Sequence, residues 1–263
     1  MIVLQKLAFY ELDLGLNNVV RKWSDDIDNS SHLLIAVPGG TEGPGGVLVC
    51  SSDTITWRNM NRPQIVAKIP RRQVFGAKQG TMIVSYGTHK QKDLFLVLAQ
   101  TELGDLFKIT LSYKADVVEA VNIKYFDTCP VATSLCVFKT GFLFAAAEAG
   151  NHMLYQFQSL GDDDEDRTYR VPNDPDVYFK PRALQNLVLI DEVQHIGPIT
   201  DAKVLNLLRE ETPQIYTLSG RGKHSSMRVL RSGIAPNEIG TTPATLPGTP
   251  TAIITVKKNA AGT

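Results

Sequence analysis

The chain has 263 residues, of which 43% are apolar and 21% charged, an ordinary globular composition with room for one all-β domain or parts of two. Its 27 basic and 27 acidic residues cancel, which excludes a broad field that would draw the chain onto nucleic acid or an anionic membrane but leaves room for a local basic patch. No apolar run approaches the roughly 18 residues of a membrane span, and Met1-Ile2-Val3-Leu4 is too short for the apolar part of a signal peptide.

Taken in order, the elements are strands and turns. Leu7 to Leu14 opens as a strand, and Val19 to Trp23 is a second, which Asp25-Asp26 breaks. Leu33 to Val37 runs into a turn-rich stretch from Pro38 through Gly46. Val47 to Cys50 and Thr54 to Trp57 form a hairpin around Ser51-Ser52-Asp53. Met82 to Tyr86 precedes a polar turn, Thr88 to Asp93. A hairpin spans Leu94 to Leu111, followed by Val117 to Tyr125 and Val131 to Phe138. Gly141 to Phe157 is another hairpin. Leu187 to Ile190, Ile199 to Leu207 and Thr251 to Val256 are later strands. From Gln214 to Ile234 the chain repeats the hairpin pattern around Ser219-Gly220-Arg221-Gly222, because glycine reaches φ > 0 without steric cost. Met227, Val229 and Leu230 resume the strand, leaving Arg228 and Arg231 to face water. Val204 to Glu211 comes nearest to a helix, and Pro213 limits it.

The hairpins recur. Val47, Leu94 and Gly141 fall 47 residues apart, and the turn glycines Gly104 and Gly150 differ by 46. Gly222 lies 72 beyond Gly150, with an acidic loop between them that accounts for the excess. Several strands per repeat of about 40–50 residues is the signature of an all-β propeller. A four-stranded blade cannot cover both apolar faces alone, so it stacks on its neighbours. The aromatics Phe9, Tyr10, Phe95, Phe107, Phe142 and Phe144 are placed to fill the space between blades.

Residues with possible chemistry are few. Cys50, Cys129 and Cys136 are an odd set without C-x-x-C spacing and read as buried thiols in a reducing compartment. The five histidines, His32, His89, His152, His195 and His224, show no ligand spacing with one another or with cysteine. No G-x-S-x-G elbow is present. Gly220-Arg221-Gly222-Lys223 lacks the glycine spacing of a phosphate loop, and a strand follows it. Pro70-Arg71-Arg72 reads as a solvent-facing strand end. The run Asp162, Asp163, Asp164, Glu165, Asp166 fails the calcium-loop pattern at its sixth and twelfth positions, Arg167 and Asn173, and reads as a solvated insertion able to dock a basic segment. Arg221, Lys223 and Arg228 form the opposite candidate, a basic blade edge for an acidic partner.

Longer stretches carry a resemblance. FYELDLGLN (Phe9 to Asn17), VPGG (Val37 to Gly40), IPRR (Ile69 to Arg72) and LAQTELGDLFKITL (Leu98 to Leu111) belong to it. So do KYFDTCPVATSLCVFKTGFLF (Lys124 to Phe144), LGDDDED (Leu160 to Asp166), NLVLIDE (Asn186 to Glu192) and GRGKHSSMRVLRSG (Gly220 to Gly233). Together they resemble the family of three-propeller proteins that includes the large UV-damaged-DNA-binding protein, the large cleavage and polyadenylation specificity factor subunit and a subunit of the splicing factor 3b complex. KYFDT and LGDDDED are most similar to the splicing branch. The resemblance implies that residues 1–185 are later blades of a first propeller, and that 186–263 hold its last strands and the start of a second. It implies a nuclear, non-enzymatic scaffold in pre-mRNA splicing, supporting branch-site recognition by the spliceosome. Its partners would be other protein subunits of the splicing factor 3b complex, with indirect association to small nuclear RNA and pre-mRNA. No cofactor, metal, membrane or small-molecule substrate is implied. A nucleic-acid-binding propeller of the damaged-DNA or cleavage-factor type is the alternative, and an enzyme built on a propeller channel is the third. Zero net charge and the absence of a nucleophile or ligand set weigh against both.

Overall fold

The computed structural model describes residues 4–15, 17–73, 80–91, 94–162, 168–170, 176–207, 209 and 212–231. Strands dominate them, in successive antiparallel sheets. Lys6–Asp13 (β1) and Asn18–Asp26 (β2) form a hairpin. Asp25-Asp26 does not end β2, because both carboxylates have cationic partners. Asp26 sits opposite Lys6 at 3.3 Å, and Asp25 accepts from Arg58, whose hydrogen bond holds its carboxyl below the usual range. The first four-stranded sheet is Leu33–Ala36 (β3), Val47–Ser51 (β4), Thr54–Arg58 (β5) and Ile65–Lys68 (β6), paired in that order. Arg71–Arg72 (β7) leaves it for a small outer sheet.

The second sheet is Ile83–Gln91 (β8), Leu94–Thr101 (β9), Asp105–Lys114 (β10) and Val117–Thr128 (β11). Thr88 to Gln91, expected as turn, continues β8, because the ladder to β9 runs on to the Gln91–Leu94 pair. The third comprises Ala132–Phe138 (β12), Phe142–Ala147 (β13) and His152–Phe157 (β14). The chain then makes Tyr169–Arg170 (β15) and Val177–Phe179 (β16), which join β7, and returns as Leu187–Val193 (β17), the third sheet's fourth strand. Ile199–Leu205 (β18), Gln214–Ser219 (β19) and Ser226–Leu230 (β20) form the last sheet. Residues 251–256, expected as a strand, lie outside the described residues.

The second sheet explains the stacking. Side chains alternate between faces along a strand, and this sheet buries both. Val97, Ala99, Phe107, Ile109 and Tyr125 enter a core shared with Ile35, Leu48, Ile55 and Trp57 of the first sheet. Leu98, Leu106 and Phe126 enter another, with Leu135, Leu143, Ala145 and Tyr155 of the third. The repeat is therefore a row of propeller blades with cores between them. Their first strands converge, since β3, β8 and β12 line one groove, where a side chain on Gly87 would fall 3.2 Å from the Leu135 carbonyl. Tyr10 departs from expectation. It is 62% exposed on the hairpin, whereas the unpredicted Tyr125, Phe126 and Phe179 carry the inter-blade packing, with Tyr125 stacked on Phe179 at 4.5 Å.

A bulge recurs at the start of the first strand of three sheets. Register shifts between Ile83 and Ser85, between Ala132 and Ser134, and between Ile199 and Asp201. The extra residues are Val84, Thr133 and Thr200. Both threonine hydroxyls donate to the neighbouring strand, Thr133 to Ala146 O at 3.1 Å and Thr200 to Leu218 O at 3.2 Å. The shared device marks β18–β20 as a unit of the same kind as the complete blades.

Polar side chains join the blades. Asp127, fully buried at the end of β11, accepts the backbone N–H groups of Gln185, Asn186 and Leu187 at 3.1, 2.9 and 2.9 Å, with the Arg182 guanidinium beside it at 3.5 Å. These donors lead into β17, so one carboxylate of the second blade seats the closing strand of the third. Gln100, also fully buried, accepts from Ala132 N at 2.8 Å and donates to Pro130 O at 3.0 Å, fixing where β12 begins.

Asp127→Ala removes the shared acceptor of three buried backbone donors and the carboxylate beside Arg182, and it should lower stability by about 3–5 kcal/mol in a urea melt at neutral pH. Burial holds the Asp127 carboxyl above its usual range despite these donors. The folded chain therefore binds that proton more tightly than the unfolded one. The group's contribution is greatest in acid and falls as pH rises through the folded-state pKa, so wild type should gain on Asp127→Asn as pH is lowered. A gap between the two that widens with rising pH would contradict this. Turn glycines give a second expectation. At Gly222 (φ +56°) an added Cβ meets nothing within 4 Å, whereas at Gly220 (φ +83°) it falls 2.2 Å from the His224 carbonyl oxygen. Gly222→Val should cost about 1–3 kcal/mol through backbone strain alone, and Gly220→Ala more, read as the order of their melting temperatures.

Candidate functional site

Basic and acidic side chains are this chain's candidate contact groups, and the fold commits many of them internally. Arg71 and Arg72, read as a solvent edge, are instead bound on both sides. Arg71 pairs with Asp53 at 2.7 Å, in the β4–β5 turn, and with Asp176 at 3.0 Å. Arg72 grips Asp105 through two nitrogens at 2.6 and 3.0 Å, and Asp105 is buried at the head of β10. Such paired, charge-assisted contacts carry geometry as well as energy. Both arginines lie on β7, so they tie the turns of two blades to the small outer sheet. Adjacent arginines and turn aspartates were legible as types, but the sequence separation of 33 between Arg72 and Asp105 hides their pairing.

The acidic run begins in a similar grip. Lys108, with its side chain 7% exposed, donates to Leu160 O at 2.8 Å and to the Asp162 carboxylate, and Lys124 donates to Gly161 O at 2.6 Å. Asp162 is therefore an exposed carboxylate tethered to the outer part of the second blade, not a freely solvated residue. Asp163, Asp164, Glu165 and Asp166 lie outside the described residues.

At the other candidate, β19 and β20 present the turn Gly220 to Ser225. Arg221 and Lys223 are exposed at its tip. Arg228, expected to face water, turns inward: Nη2 donates to Asn151 Oδ1 at 2.9 Å and Nε to Ser226 Oγ at 3.1 Å. Below the tip, Arg221 N donates to Ala149 O at 3.0 Å, and a Cβ on Gly150 would lie 3.0 Å from His224 Cβ. Gly150 is thus required for close approach, since its φ is not positive. The structure brings Arg221 and Lys223 together and separates Arg228 from them by function.

Cys50 and Cys129 are buried, which pushes both thiols up to about 12, with Asp127 and Asp105 adding to the effect at Cys129. Cys136 differs from the expected buried thiol, being exposed on β12. Among the described residues no group of three or more His, Cys, Asp or Glu side chains could hold a metal ion. Sequence spacing did miss one pair, since His152 and His195 stack with centroids 4.3 Å apart. Nothing local in the 42 residues between them signals that contact.

The comparisons with known proteins agree with this architecture. Residues 4–194 match the family described as the RSE1/DDB1/CPSF1 first beta-propeller. Spliceosome-associated protein 130 A of Arabidopsis thaliana is 51% identical over 259 residues, covering 96% of this chain and 21% of that protein. Probable splicing factor 3B subunit 3 of Dictyostelium discoideum is 49% identical over 263 residues, covering 96% and 21%. Splicing factor 3B subunit 3 of Danio rerio is 47% identical over 262 residues, covering 97% and 21%. The chain thus spans about a fifth of the length of the curated relatives it matches. On a match that takes in most of its residues and on blades that agree with it, the chain belongs to the RSE1/DDB1/CPSF1 first beta-propeller family.

Proposed function

We propose that this chain is a non-enzymatic interaction scaffold of the splicing factor 3b complex, acting in the nucleus in pre-mRNA splicing and supporting branch-site recognition. One observation carries the reading: identity near one half over almost the whole chain to relatives named as splicing factors. The geometry is compatible with it. Arg71, Arg72, Lys108 and Arg228 hold the fold together, leaving the basic tip at Arg221 and Lys223 and the tethered Asp162 among the outward-facing charges. Residues 1–185 are later blades of the first propeller, and 186–263 hold its last strands and the entry into a second. The partners are other protein subunits of the complex, with RNA reached through them. The acidic run Asp162, Asp163, Asp164, Glu165, Asp166 and the tip are the contacts, each for a segment of opposite charge. The arginine pair on β7, bound to carboxylates, is not available to contact phosphates as a nucleic-acid reader would require of it.

The test is recovery of the complex from nuclear extract on a tagged form of the chain. Splicing factor 3b proteins should co-purify. Arg221→Glu with Lys223→Glu should reduce that recovery by about tenfold, the scale of a lost pair of charged contacts, with the melting temperature unchanged. A double variant that recovers the complex normally removes the tip from the proposal. Sub-micromolar RNA binding that falls steeply with salt would replace the scaffold reading with the nucleic-acid one.

A further inference from the structure

The third sheet meets the β18–β20 sheet at a corner organised by Asn151. Its Oδ1 accepts from His195 N at 3.0 Å and from Arg228 Nη2 at 2.9 Å, while its Nδ2 donates to Glu192 Oε1 at 2.7 Å. One amide thus joins the turn before β14, the end of β17, the connector from Gln194 to Pro198, and β20. The connector's His195 ring packs on one face. It stacks on His152, 4.3 Å between centroids and 25° between planes. Gly197 approaches the ring closely, since an added Cβ there would fall 2.6 Å from His195 Nε2. The His152 ring meets the edge of Phe144 at 5.7 Å, and its Nδ1 is buried with no hydrogen-bond partner among the described residues.

We propose that the His152–His195 stack is a pH-sensitive latch that holds the β18–β20 sheet against the third blade while both rings are neutral and releases it when both are protonated. Neutral imidazoles stack face to face. Two imidazolium ions in that geometry repel, which pushes the His195 ring and its backbone away from β14. That backbone carries the N–H bound to Asn151. Losing it loosens the amide that also receives Arg228, so the release passes to β20.

Other charged groups stand at the corner, and β17 also carries Asp191 opposite Leu154. β17 brings Glu192, which is engaged by the Asn151 amide. β20 brings Arg228, whose positive charge opposes added protons. Glu148, after β13, and His224, from the turn, line the adjoining cavity with Asn151. β13 itself brings the uncharged Phe144 ring. Burial, and then the neighbouring His195, hold His152 below the usual histidine range. A lowered histidine contributes stability that is present above its unfolded value and is lost as pH falls through the folded one, so the latch opens in acid.

Hydrogen–deuterium exchange on the full chain, corrected for intrinsic rates, tests this between about pH 7.5 and pH 5.5, across the histidine range. Protection at residues 149–152, 193–200 and 219–230 should fall about fivefold or more in acid, with β8–β10 unchanged. His195→Phe keeps a ring on His152 without a charge, and its protection should not change with pH. An equal acid loss in His195→Phe, or none in wild type, overturns the proposal. Should that variant fail to fold, imidazole NMR titration of wild type decides. A His152 titration displaced below the ordinary histidine range is expected, and a His152 that titrates as an isolated histidine overturns the proposal.

Discussion

The buried Asp127 carboxylate is the interaction on which the arrangement of blades most depends. Three consecutive backbone N–H groups, from Gln185 to Leu187, converge on it from a segment about sixty residues downstream. Hydrophobic burial alone is non-directional. It would bring β14 and β17 together without fixing which residue lies opposite which. A carboxylate that accepts successive amides sets that register, because a one-residue slip would take the donors away from it and turn Leu187, the buried side chain of β17, to the other face. The same residue is tied to its own blade through β11, so the third blade is completed by reference to the second.

Around that point the molecule repeats one solution. Apolar alternation builds the faces, and a polar side chain at each blade junction decides the alignment. Arg71 and Arg72 do this for the first two blades, Gln100 and Asp127 for the second and third, and Asn151 for the third and last. These groups are costly to desolvate singly, yet each ends with several partners, which is what makes burial tolerable.

Much of this was legible in the sequence and part of it was not, for a physical reason. Strands with a strong apolar pattern, such as Leu94 to Thr101 and Phe142 to Ala147, declare themselves locally, and so does the 47-residue period. Polar residues mislead because local sequence cannot show their partners. Asp25-Asp26 looked like a break until Arg58 and Lys6 were opposite, and Thr88 to Gln91 looked like a turn until β9 lay beside it. Arg71, Arg72 and Arg228 looked solvated for the same reason. The aromatic residues divided similarly: Phe107 was correctly placed in the core, whereas Tyr10 lies on an outer hairpin. For the contact surface, the charged types were readable. Their division into structural and outward-facing groups required three dimensions.

The bulged first strands have a consequence for what can approach the converging edges of the blades. A straight edge strand offers a regular row of amides and carbonyls that any extended peptide can extend as a further strand. At Val84, Thr133 and Thr200 that row is interrupted by an extra residue. The free edges of β8, β12 and β18 are thereby poor templates for β-augmentation, whether by a foreign peptide or by another copy of the chain. A ligand on that side is selected by the side chains it meets, and the blades can crowd together without zipping into a continuous sheet.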